Sequence, residues 1–116
     1  MRSERLLETL GDIAENIALA QSFIEGMSQQ QFVDDLRTLY AVVRCLEIIS
    51  EASRRIPADL KSDLIGIQWR DVATAGNLCR HEYRAVTPDH VWITVKDHLP
   101  ALQAVVHALI AARSED

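Results

Sequence analysis

The sequence predicts an all-α protein, an up-and-down helical bundle with two long antiparallel helices followed by shorter C-terminal ones. Three observations carry that expectation. Chain-breakers are few, four Gly and three Pro in 116 residues. Apolar residues recur at intervals of three and four, the repeat of one helix face. No segment shows the apolar–polar alternation of a half-buried strand.

Each element follows from its own signals. Ser3 is placed to cap a first helix whose apolar residues Leu6, Leu10, Ile13, Ile17, Ala20 and Ile24 are spaced 4, 3, 4, 3 and 4 apart, with Gly26 ending it. Ser28 followed by Gln31 reads as a capping box. It opens a second long helix through Phe32, Leu36, Leu39, Val43, Leu46 and Ile49 that stops before Pro57. Two such helices with a connection of about two residues pack antiparallel. Residues 57–66, PADLKSDLIG, read as a short helical turn and a connection. Trp69 starts a third principal helix reaching about Tyr83. Thr87, Pro88 and Asp89 supply a hydroxyl cap, a proline at the first helical position and an acid at the positive end of the helix dipole. Val91, Trp92 and Val95 lie on the helix they open. Pro100 either kinks that helix or, with Asp97 as cap, falls in the first turn of a final one through Leu102, Val105, Val106, Leu109 and Ile110. A single domain over residues 1–113, with residues 114–116 as a frayed tail, is the expectation.

The charge balance restricts the function classes. Twelve Lys and Arg against seventeen Asp and Glu give a net charge of −5. Such a chain is a poor candidate for binding nucleic acid through a broad basic surface, because phosphate contacts need clustered cations, so a nucleic-acid role is expected to sit in a local site. Residues 1–66 hold 7 basic and 11 acidic side chains, residues 67–86 hold 3 and 2, and residues 87–116 hold 2 and 4. Only the central segment is not acidic. The N-terminus carries Glu4 and Glu8 and has no secretory pattern, and no apolar run is long enough for a membrane span. Cys45 and Cys79 stand apart, with no CxxC pair and no His at metal-ligand spacing. Reduced thiols in a cytoplasmic protein without metal or cofactor fit that pattern.

The central segment holds the chemistry. On a helix Asn77 and His81 share a face, Arg84 continues the stripe, and Arg80 flanks it, while Val72, Ala75 and Cys79 lie on the other side. Imidazole titrates near neutrality and moves protons, and guanidinium holds phosphate in a bidentate fork. Together they suit metal-independent RNA cleavage, in which a base activates the ribose 2′-hydroxyl. A single His near a helix end also fits a solvated or capping residue, so spacing leaves both readings open. Trp69 and Trp92 read as core anchors, and Tyr83 as a partly buried tyrosine with its hydroxyl at the surface. His90, His98 and His107 share no metal-binding spacing and read as surface or interface residues. The acid pairs Asp34–Asp35 and Glu47–Glu51 read as solvated helix faces.

Nearly the whole chain resembles the HepT-type proteins of the HEPN superfamily. The resemblance rests on LEIISEA in the second helix, on Trp69 with Asn77, His81 and Tyr83 downstream, and on Val91, Trp92, Leu99 and Pro100. It implies an all-α homodimer in which two motif helices meet across a cleft and cut RNA without metal. It further implies a toxin partnered by a minimal nucleotidyltransferase antitoxin of the MntA type. By this resemblance His81 is the general base or acid, Asn77 orients phosphate or imidazole, and Tyr83 is the residue the partner modifies with AMP. One departure stands out. The family's motif Arg, five residues before the His, is replaced here by Gly76, which supplies no charge and weakens a helix interior by about 1 kcal/mol relative to Ala. Either Arg80 or Arg84 takes over the phosphate contact, or the chain is a degenerate HEPN subunit that keeps partner binding without strong nuclease activity.

Overall fold

The computed structural model describes residues 2–62 and 87–114. Among them every regular element is helical: α1 (Arg2–Phe23), α2 (Gln29–Val33), α3 (Leu36–Ser53), α4 (Ala58–Ser62), α5 (Pro88–Ile93), a π-helical turn (Thr94–His98) and α6 (Leu99–Ser114). The all-α expectation holds.

Helix α1 is the central rod. All six residues of its predicted seam, Leu6, Leu10, Ile13, Ile17, Ala20 and Ile24, are buried. They pack into one apolar core with Val42, Cys45, Leu46, Ile49, Ala52 and Ile56 from α3 and the segment after it, and with Val91, Val95, Leu99, Leu102 and Val106 from the C-terminal helices. The helix starts at Arg2, so Ser3 lies inside its first turn rather than at the cap position. Its C-terminal end closes through a Met27 N–H to Ile24 carbonyl bond of 3.0 Å, with Gly26 at φ 80°, a left-handed conformation that glycine adopts at no steric cost.

The predicted second helix is two helices. The capping box forms as expected: the Gln31 N–H donates to Ser28 Oγ at 3.1 Å and the Ser28 N–H donates to Gln31 Oε1 at 2.8 Å. Yet α2 ends after Val33, and Asp34 and Asp35 form a break rather than a solvated helix face. The cause is chemical. Asp35 adopts an extended backbone, and its carboxylate accepts from both the Thr38 N–H, at 3.2 Å, and the Thr38 hydroxyl, at 2.8 Å. A short acid that binds the next turn's amide caps a new helix in preference to continuing the old one.

The apolar series read through the break still faces inward at all but one residue: Phe32, Leu46 and Ile49 are buried, Leu39 and Val43 are half-buried and pack against the core, and Leu36, the first residue of α3, is 61% exposed. Val42, Cys45 and Ala52 complete the buried face of α3.

Two cross-links show how α1 is flanked. Arg55, just beyond α3, lies 3.5 Å from the Asp12 carboxylate, bringing the N-terminal half of α1 beside the C-terminal end of α3. Gln21 and Gln103 exchange side-chain amide hydrogen bonds of 3.2 and 3.1 Å, joining the last turns of α1 to the first turns of α6.

At Pro100 the helical path continues. The ring removes one donor and crowds the carbonyl four residues back, and the chain answers with a wide turn in which the Leu99 N–H bonds the Thr94 carbonyl. Asp97 lies within this turn and is not a cap, so the structure takes the first of the two readings of Pro100 in the form of a π turn. Helix α6 runs to Ser114, the first residue of the expected tail.

Candidate functional site

Gly76, Asn77, Arg80, His81, Tyr83 and Arg84, together with Trp69 and Cys79, lie outside the described residues. What the structure does describe is the frame on either side of the segment that carries them. On the N-terminal side stands α4, the short turn expected after Pro57, with Leu60 packed against the core. The C-terminal side begins at Thr87, three residues after Arg84.

This C-terminal anchor is built as its residues dictate. Thr87 is extended and its hydroxyl accepts from the His90 N–H at 3.2 Å, with Pro88 and Asp89 in the first turn. Asp89 also reaches across the bundle, where its carboxylate accepts a 2.8 Å hydrogen bond from the Gln29 side-chain amide at the start of α2. Two residues later Val91 is buried, and the half-buried Trp92 stands with its ring centroid 5.6 Å from that of Phe32, the two planes tilted by 43°. Such a tilted pair is favourable for aromatic quadrupoles. The Lys96 ammonium lies 5.1 Å from the Trp92 ring centroid, within cation–π range. Trp92 is thus a core anchor, as the sequence suggests.

Sequence reasoning missed three of these parts. Asp35 as a cap was hidden because two adjacent acids also suit an exposed helix face. The Gln29–Asp89 bond joins residues 60 positions apart, a tertiary relationship no local pattern carries. Lys96 over Trp92 follows from an i, i+4 spacing that was legible in principle.

The Thr38 hydroxyl, followed by the Thr38 amide, holds the Asp35 carboxyl below its ordinary value. Burial pushes the Cys45 thiol up, which makes it an inert core group. His90, His98 and His107 are exposed, as expected of surface residues. Glu51 is exposed, whereas Glu47 is partly covered and pairs with Arg44 at 3.3 Å. Among the described residues no group of three or more His, Cys, Asp or Glu is arranged to hold a metal ion, and no helix is long and apolar enough to cross a membrane.

Comparison with known proteins supplies the identity that this frame alone does not. A protein of Thermococcus cleftensis named "Probable ribonuclease HepT" is 40% identical over 94 residues, covering 81% of this chain and 86% of that protein. Two proteins of Methanocaldococcus jannaschii are also similar. "Putative RNase MJ1216" is 32% identical across 87% of this chain and 84% of its own length, and "Putative RNase MJ0125" is 30% identical across 77% of each. No solved structure matches the chain. The family model described as ribonuclease HepT-like matches residues 13–109, from the middle of α1 to the last turns of α6, and the chain belongs to that family.

Proposed function

We propose that the protein is a metal-independent endoribonuclease of the HEPN type, acting as the toxin of a toxin–antitoxin pair. The observation that carries this reading is the span of the family match: residues 13–109 include Asn77, His81 and Tyr83 together with the described helices that precede and follow them in the chain. Similarity to proteins named as ribonucleases supports the same reading.

In the proposed reaction His81 takes the proton from a ribose 2′-hydroxyl. The oxygen attacks the adjacent phosphorus, and the bond to the 5′-oxygen of the next nucleotide breaks. The departing oxygen gains a proton, leaving a 2′,3′-cyclic phosphate on one fragment and a 5′-hydroxyl on the other. No metal or cofactor enters this balance. Asn77 orients the phosphate or the imidazole, and Arg80 and Arg84 hold the phosphate that the absent motif Arg at Gly76 does not. A homodimer brings two such segments to one cleft and allows either Arg to come from the second copy.

Control is assigned to a nucleotidyltransferase of the MntA type that transfers AMP from ATP to the Tyr83 hydroxyl, which loses its proton as the α–β phosphoanhydride bond breaks and pyrophosphate leaves. The added phosphate places negative charge where RNA phosphates bind, so modification and substrate exclude one another. Incubation with that partner and ATP, followed by intact-mass measurement, tests this step. Gain of AMP units by the native chain and none by Tyr83→Phe supports it; gain that persists in Tyr83→Phe, or no gain with an active partner, removes Tyr83 as the control point.

Gly76 favours a second reading, a degenerate HEPN subunit that binds the nucleotidyltransferase without cutting RNA. Loss of a cation at a transition state costs orders of magnitude in rate. The Arg80→Ala/Arg84→Ala variant separates the two. Under the nuclease reading the native protein cleaves RNA and the double variant does not, whereas equal cleavage by both removes the substitute-arginine account.

A further inference from the structure

We draw no further inference here: the strongest candidate, the outward-facing apolar pairs Leu19 and Phe23 on α1 and Leu36 and Tyr40 on α3, is an unpartnered surface with nothing in the structure to show what covers it.

Discussion

Phe32, fully buried on a helix of only five residues, stands 5.6 Å ring to ring from Trp92 on α5, 60 positions later in the chain. An α2 this short has no independent stability, so its place depends on this contact and on the Gln29–Asp89 bond nearby. Phe32→Ala is expected to destabilise the protein by about 3–5 kcal/mol, the usual range for emptying a buried aromatic site. Urea unfolding followed by circular dichroism reads this directly. A loss below about 1 kcal/mol would show that the site collapses and that Phe32 does not anchor α5.

Asp35 gives a pH dependence with a defined sign. Its carboxyl is held below 3.8 in the folded chain by the Thr38 hydroxyl and amide, so the folded state favours the carboxylate. The resulting stabilisation is fully present above the unfolded value and fades as pH falls through the lower folded one. Asp35→Asn keeps a capping side chain without the charge. Native protein is expected to exceed this variant in thermal midpoint at neutral pH, with the gap closing as pH drops below 3.8. A gap that stays constant with pH would refute the assignment.

Two glycines predict opposite outcomes for the same substitution. Gly11 lies within α1, and nothing comes within 4 Å of a Cβ added there. Gly11→Ala is expected to stabilise by about 0.5–1 kcal/mol, through lower unfolded-state entropy and better helix propensity. Gly26 has φ +80° after the same helix, so Gly26→Ala is expected to destabilise by about 1 kcal/mol although it too has open space. Denaturant midpoints measured side by side decide the pair, and a shift of equal sign at both would contradict the conformational argument.

The limits of sequence reading are themselves physical. The seam of α1 was fully legible because a 22-residue helix with one apolar stripe leaves a single way to bury it. The Ser28 and Thr87 caps were legible because each is made within three residues of chain. The face of α3 was legible in part: Leu46 and Ile49 are buried as the series predicts, but the break at Asp34–Asp35 leaves Leu36 facing outward, and Val42, Cys45 and Ala52 share the buried face. At the candidate site the proposed roles of His81, Asn77 and the neighbouring arginines come from the sequence, and the structure describes the helix cap at Thr87 that follows them in the chain.

The central claim is that His81 drives RNA cleavage without metal. Its most direct test is incubation of purified native chain with RNA in excess chelator, beside His81→Ala and Gly76→Arg, with fragments resolved by length and end group. Fragments ending in a 2′,3′-cyclic phosphate are expected from the native chain, at a rate lowered about 10²–10⁴-fold in His81→Ala, the range for removing a general base. Gly76→Arg is expected to cut at least as fast as native. The account is contradicted if neither native nor Gly76→Arg protein cuts RNA, or if His81→Ala cuts as well as the native chain.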